Sequence, residues 1–319
     1  PELRAGDDRL RAMPELCAPG GRFFRSDLAR ETAAWFDGIA RIRPDPGLAA
    51  RRGASLRAAA DLTDALRRIL RGSGAVAAGF ATVDPAFVYS HKGRFDADYG
   101  RPIPLDFPRA AVFLVPMDYA AMRRAPRAEA LRESARQYYR AAGIAFAAEA
   151  ALRAAGFAAK AWYDAHYDAM LVPLAVQAGL GELGRNNILV ADRFGARVRI
   201  GAVATDAPLR PDRPVSLGVA GFCEICRRCA EACPSRALAT GPREVVRGVL
   251  KWPTHVERCH AYWRRAGTDC GLCMAVCPFS HRDNALHAAV RCLLRRFPAF
   301  RRPALWGERL LFARLRDGS

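Results

Sequence analysis

The sequence predicts an α+β fold that ends in a metal-carrying module, and three observations carry the prediction. Helix-type and strand-type patterns succeed one another through residue 205. A stretch rich in Pro and Gly follows over residues 206–220, the composition of a linker. Beyond it, eight of the ten cysteines crowd between Cys223 and Cys277. These features divide the chain into a first domain (1–215), a cysteine module (216–285) and a C-terminal tail (286–319) expected to pack back on the first domain.

In chain order, residues 1–50 are polar, punctuated by Pro and Gly and weakly periodic. Residues 55–72 place Leu56, Leu62, Leu66 and Leu70 on one helical face, and Gly72 stops the helix. Residues 75–90 read as strand. Residues 110–116 (AAVFLVP) are a short continuous apolar run, the mark of a buried strand. An Ala-rich helix pattern covers 128–157 and ends at Gly156. Residues 169–180 give another helix beginning near Pro173. The glycine turn Gly179–Gly184 leads to strands at Asn187–Ala191 and Val198–Thr205. From about Asn284 the tail is basic and amphipathic, with Leu293, Leu294, Phe297, Phe300, Leu305 and Trp306 among many arginines. Two readings of it stand: a segment packed on the first domain, or a helix in peripheral association with a membrane surface.

Composition limits the function. With 319 residues, 51% of them hydrophobic, the chain can build two domains with cores and is too apolar for wholesale disorder. The net charge of +18 ordinarily points to nucleic acid. Here almost all of it is Arg; Lys92, Lys160 and Lys251 are the only lysines. That skew and the abundance of Ala read as codon bias, and no basic block or Cys/His finger spacing supports nucleic acid as a main partner. Docking of an acidic electron donor is the better use of the charge. No uncharged apolar run is long enough for a transmembrane helix. The chain starts at Pro1 without a signal-type segment, so a cytoplasmic location is expected, or an exported or membrane-peripheral one if a leader has been removed.

The cysteines follow metal-ligand spacing rather than that of a disulfide framework. Cys223, Cys226, Cys229 and Cys233 fall as C-x2-C-x2-C-x3-C-P, the bacterial ferredoxin run. Two-residue gaps let three thiolates and the amides between them wrap one iron–sulfur cube. Pro234 and the helix start throw the fourth thiol outward, and in two-cluster ferredoxins it serves the other cube. Cys259 lies further upstream of Cys270, Cys273 and Cys277, which repeat the C-x2-C-x3-C-P ending. Crossing assigns Cys223, Cys226, Cys229 and Cys277 to one [4Fe–4S] cluster, and Cys233, Cys259, Cys270 and Cys273 to the other. Structural zinc also uses C-x2-C pairs but has no need of the x3-C-P ending twice. Cys17 and Cys292 stand alone and read as plain buried thiols.

Several strings carry a family resemblance: Pro173–Arg185 (PLAVQAGLGELGR) with Asn186 and Asn187, then FGARVRIGAVATDAPL, Tyr262–His281, and FPAFRRPALWGERLLF. With the two cluster motifs they resemble the cobamide-dependent reductive dehalogenases. They are more distantly similar to epoxyqueuosine reductase, which has an AGLGWxGK string in the corresponding place. The resemblance covers roughly Ala128–Phe312. It implies a nitroreductase-like domain that binds a base-off cobamide, followed by a bacterial-type two-[4Fe–4S] ferredoxin domain. Electrons would pass from an external low-potential donor through the clusters to cobalt, and a halogen on a small organohalide would be replaced by hydrogen. Two alternatives stay open: an epoxyqueuosine-reductase-like enzyme, and a corrinoid-free iron–sulfur electron carrier.

The resemblance also implies a site. Its acid is a Tyr, here Tyr139 in preference to Tyr138, with a nearby Arg, either Arg197 or Arg199, to stabilise the phenolate. The supporting position falls at His166, where the family has Asn or Lys; His is itself a competent proton donor near neutral pH. His166 also reads as a plain surface residue between Tyr163 and Tyr167. The turn Gly179-x-Gly181-x-x-Gly184 fits the dinucleotide fingerprint but follows a helix rather than a strand. Its glycines, with Asn186, are expected to pack against the corrin, and Ser280 and His281 to touch the same cofactor.

Overall fold

Helices come first in the computed structural model, which describes residues 2–93 and 95–312: α1 (Glu2–Arg11), α2 (Ser26–Ile39), α3 (Pro46–Ala58) and α4 (Leu62–Gly72). The single helix expected over 55–72 is two, because the Asp61 carboxylate accepts from the Asp64 N–H and caps a new start. β1 (Ala77–Thr82) is shorter than the expected 75–90, since Asp84 and Pro85 turn the chain into a 3-10 turn. β2 (Arg109–Pro116) occupies the apolar run. The single turn α5 (Tyr119–Met122) precedes the long α6 (Ala128–Ala154). The sequence reading missed β3 (Ala159–Trp162), which is too short and Ala-rich to show alternation. α7 (Leu171–Gln177) carries Pro173 in its first turn, where the missing N–H costs nothing. β4 (Glu182–Leu183) and β5 (Leu189–Val190) form a small hairpin, and β6 (Val198–Thr205) follows.

β1, β2, β6 and β3 lie side by side in that order as an antiparallel sheet. Along β2, Phe113 and Val115 join Leu66 and Leu70 of α4 and Ile144 and Leu152 of α6 on one face. Val112 and Leu114 join Trp162, Ala202 and Leu174 of α7 on the other. Both faces are covered, which is why the strand reads as continuous apolar sequence. The segment 206–220 is a strap rather than a free linker. Asp212 accepts from Arg67 (3.1 Å to each oxygen) and from the Phe80 amide (2.9 Å), while Thr63 accepts from the Arg210 amide (2.9 Å).

The cysteine module comprises α8 (Val219–Cys226), α9 (Arg228–Glu231), the hairpin β7 (Glu244–Val246) and β8 (Val249–Lys251), α10 (Val256–Ala266) and α11 (Leu272–Ala275). α12 (Ala285–Arg296) and α13 (Arg301–Leu311) follow. The tail seals the module, where Leu294, Phe300 and Leu305 pack with Val219, Phe222 and Phe279, and it also reaches the first domain, through Val190 of the same cluster and the Arg295–Asp192 ion pair at 3.1 Å. Buried Glu308 on α13 pairs with Arg228 and His281, each at 2.7 Å. A module this small does not bury enough apolar surface alone, and the tail supplies the missing wall. Residues 313–319 of the expected tail lie outside the described residues. A second contact layer, with Met117, Met122 and Ala196 against Met274, joins the module to the first domain. Among the described residues, no helix is long and apolar enough to cross a membrane.

Gly79 lets α7 settle onto β1, since a Cβ there would collide with the carbonyl oxygen of Ala178. Gly79→Ala is expected to lower stability by about 1–3 kcal/mol in urea denaturation. An unchanged midpoint would mean that α7 is not seated on the sheet.

Candidate active site and metal centre

α8 presents Cys223 and Cys226 three residues apart, so both thiols leave the same helical face. Arg227, at φ 58 between α8 and α9, bends the chain so that Cys229 returns to the same space. Cys277 arrives from the far end of the module. These four thiols line one small cavity, together with Gly184, Arg185 and Asn186. Arg185 is buried and saturated: it donates to the carbonyls of Cys223 (3.0 Å), Ala239 (2.9 Å) and Gly241 (2.9 Å) and lies over the Trp252 ring. Cys233, Cys259, Cys270 and Cys273 form the second neighbourhood: Cys233 acts electrostatically on the other three, and Cys259 on Cys270 and Cys273. The two neighbourhoods adjoin, since Cys273 acts on Cys229 and Cys277 acts on Cys273. Cys17, beside Thr32 and Asp269, and the exposed Cys292 stand apart from both.

Burial pushes the Cys226 and Cys270 thiols up to about 12, and neighbouring thiols push in the same direction. Cys229, Cys273 and Cys277 rise further for the same two reasons. Such crowded, desolvated thiols do not ionise together unless a cationic core compensates them. Their number, sorting and suppressed acidity therefore fit iron–sulfur cubes. Among the described residues, no three His, Cys, Asp or Glu groups converge on a single-ion site; the first set of thiols rings a space.

Tyr138 and Tyr139 are consecutive on α6 and so point about 100° apart. Tyr139, the favoured acid, faces α2: its ring lies 5.2 Å from that of Trp35 and against Gly38. Tyr138 faces β6, where the Arg199 guanidinium carbon sits 4.5 Å from its ring centroid. The tyrosine that meets an arginine is therefore Tyr138, a correction that helix geometry imposes. Arg199 donates to Ser134 and, at 2.7 Å, to Asp269, the residue before Cys270; its buried Nε has no protein partner. Burial lifts the Tyr138 phenol to about 12; Arg199 opposes the rise, and Asp164 and Asp269 add to it. For Arg199, burial works against the charge, but Tyr138, Asp269 and Asp164 outweigh it and hold the guanidinium above its usual value. The result is a phenol that keeps its proton beneath a fixed cation.

The remaining expected residues do other work. Arg197 donates to the carbonyls of Ser280 (2.5 Å), Met117 (2.6 Å) and His281 (3.1 Å) and lies over Tyr119. It fastens the sheet domain to the module and is not the cation beside the phenol. His166 is exposed and stacks on Tyr163, with ring centroids 4.8 Å apart, in a tight turn. From this turn it is Asp164 that acts on Tyr138. The glycines are explained by the chain's own backbone. A Cβ on Gly179 would lie 2.6 Å from the Arg213 carbonyl, one on Gly184 would lie 2.7 Å from Asn186 Oδ1, and one on Gly181 would strike the Val190 carbonyl. Gly184 and Asn186 line the thiol cavity. Ser280 accepts from the Ala196 amide (3.1 Å), and His281 pairs with Glu308. All six residues expected against a corrin are thus engaged by this chain. Sequence reasoning missed Ser134, Asp164 and Asp269, which come from separate elements; only the adjacency of Asp269 to Cys270 offered a signal.

Residues 222–281 match the family model described as a 4Fe-4S dicluster domain. The chain is 33% identical over 216 residues to a tetrachloroethene reductive dehalogenase of Desulfitobacterium hafniense, covering 64% of this chain and 38% of that protein. An epoxyqueuosine reductase of Lactococcus garvieae is 30% identical over 134 residues, covering 38% of this chain and 37% of that protein. A solved reductive dehalogenase, described as suggesting a mechanism for B12-dependent dehalogenation, matches with a TM-score of 0.75 at 23% identity, covering 94% of this chain and 47% of that one. The resemblance read from the sequence holds, with the dehalogenases ahead of epoxyqueuosine reductase. The fold is that of the dehalogenase structure, with a [4Fe–4S] dicluster domain at its C-terminal side. The chain spans less than half the length of these relatives.

An unfolded tyrosine loses its proton near pH 10, whereas Tyr138 in the folded chain holds it to about pH 12. The folded state therefore binds this proton more tightly, and the associated stability is complete below about pH 10 and is lost between about pH 10 and 12. In denaturation experiments across that window, Tyr138→Phe should lose stability less steeply than the wild type. Parallel slopes would show that the phenol is not desolvated.

Proposed function

We propose that this chain is the electron-transfer and proton-donating core of an iron–sulfur oxidoreductase that replaces the halogen of a small organohalide with hydrogen. Two electrons and one proton enter, and halide leaves. The observation that carries this reading is the Arg199–Asp269 pair, because it ties the Tyr138 acid to the residue next to Cys270. One ion pair thereby holds together the group that gives a proton and the loop that carries a cluster thiol.

Tyr138 stores the proton. Asp164 and Asp269 discourage its early loss, and Arg199 over the ring stabilises the phenolate left after donation. The orphan Nε of Arg199 supplies a donor for an acceptor that the chain does not provide. The crossed cysteine sets are the proposed ligands of the two clusters. The proposed further cofactor is a base-off cobamide, which when bound supplies the cobalt chemistry that cleaves a carbon–halogen bond. The Tyr138–Arg199 end, with a spare donor above the phenol ring, suits such a bound group. An external low-potential donor and a cytoplasmic or membrane-peripheral setting belong to the same reading, with no role for nucleic acid as a main partner. One observation favours a second reading. Asp164 acts electrostatically on Tyr138, and a carboxylate working with the phenol suits an epoxide on a modified nucleoside as substrate.

The test is anaerobic reconstitution with iron, sulfide and cobalamin, followed by aryl and alkenyl halides and an epoxide-bearing nucleoside, with reduced viologen as donor. Retained corrinoid and halide release are expected. Tyr138→Phe should slow release by about 10²–10⁴-fold, with Tyr139→Phe close to wild type. Iron retained without corrinoid would indicate a carrier, and turnover of the epoxide alone would favour the second reading.

The crossing has its own check by electron paramagnetic resonance. Cys277→Ala should disturb one cluster. Adding Cys223→Ala should cost no second cluster, whereas adding Cys233→Ala should cost both. The reverse pattern would overturn the ligand sets.

A further inference from the structure

We propose that the cleft beside Cys233 is the docking surface of a small acidic electron-carrier protein, and that electrons enter the chain there. This rests on the cluster reading above and adds the place and chemistry of the donor.

The two thiol sets differ in their access to solvent. Cys223, Cys226 and Cys277 are buried, in the layer that the tail closes. Cys229 of that set is half-buried; of the other set Cys233, Cys259 and Cys273 are half-buried and Cys270 is buried. Cys233 also lines an open cleft of about 820 Å³, walled by Arg236, Arg258, His255, Glu231 and Thr240. Its sulfur is held from behind, accepting from the Ala237 amide at 3.3 Å and lying 3.4 Å from the Ser235 hydroxyl. The thiol is therefore fixed in place at the floor of a surface opening.

The walls carry the sign of the partner. Arg236 and Arg258 are exposed, and neither has an ion-pair partner among the described residues. The acid of the lining, Glu231, already interacts with Arg309 at 3.9 Å. By contrast, Arg185 and Arg228 beside the other thiol set spend their donors on buried carbonyls and on Glu308. Val256, 62% exposed and adjacent to His255, adds an apolar contact at the rim. A small, polar, charged surface with a little apolar area is what transient electron-transfer encounters use, and opposite charge raises their association rate. The occupant that complements two unpaired guanidiniums at a cluster edge is an acidic one-electron protein. In the transfer, one electron leaves the carrier, which is oxidised by one unit, and enters the Cys233-bound cluster, which is reduced by one unit; no bond or proton changes hands.

The experiment uses the full chain reconstituted with iron and sulfide, and a reduced, acidic two-iron ferredoxin as probe. Two quantities are read: ferredoxin affinity, and the rate at which cluster absorbance bleaches in stopped flow. Both should fall by about tenfold or more between about 0.01 M and about 1 M salt, as the screening length drops from about 30 Å to about 3 Å. The double reversal Arg236→Glu, Arg258→Glu should lower both by about tenfold at low salt. Iron content and bleaching by reduced methyl viologen, a small cation that needs no docking surface, should not change. Reversal of Arg41 and Arg51, exposed on the first domain, should leave the ferredoxin rate intact. A wild-type ferredoxin rate in the Arg236, Arg258 variant overturns the proposal, as does an equal loss in the Arg41, Arg51 variant, which would reduce the effect to net charge. A chain that fails to take up iron, or that viologen does not bleach, overturns the cluster reading itself, a result distinct from either.

Discussion

The crowding of eight thiols into a few buried loops is the constraint on which the module depends. As bare thiols, Cys226, Cys270 and Cys277 resist ionisation, because each sits in low dielectric beside others of its kind. Everything around them serves to hold that arrangement. The left-handed Arg227 returns Cys229 to Cys223 and Cys226, and Arg185 fixes the backbone behind Cys223. α12 and α13 close the outside through Leu294 and Leu305. The module borrows its walls from both neighbours because it is too small to supply them.

Buried arginine is the second organising device. Arg185, Arg197 and Arg228 each reach several acceptors at once, which a planar fork with five donors can do and a lysine cannot. Arg197 spans the sheet domain and the module, Arg228 spans the module and the tail, and Arg185 ties the β4–β5 hairpin to α8. Part of the +18 charge is therefore internal fastening. Arg199 differs in having a donor to spare above the Tyr138 ring.

The sheet explains why Tyr138 and the segment before Cys270 are neighbours. β6 pairs with both β2 and β3, so its residues are central in the sheet. Arg199 looks from β6 toward α6, while the chain just before β6 is pinned to the module through Arg197 and Ser280. The same short segment thus sets the sheet's register and carries the ion pair to Asp269.

The amino-acid sequence by itself determined what local spacing can encode. The gaps between cysteines specify a pair of iron–sulfur cubes, because ligand geometry within a loop depends on few residues. The run at 110–116 specifies a strand covered on both faces. Choices made across the fold were not legible. Tyr138 and Tyr139 are adjacent letters, and only the packing of α6 between α2 and β6 decides which one meets Arg199. His166 lies exposed in a tight turn that periodicity does not reveal, and from that turn Asp164 acts electrostatically on Tyr138. The glycines of the 179–184 turn marked close approach correctly, but what approaches is this chain's own backbone. Contacts between residues distant in sequence depend on how whole elements pack, and no local pattern carries that information.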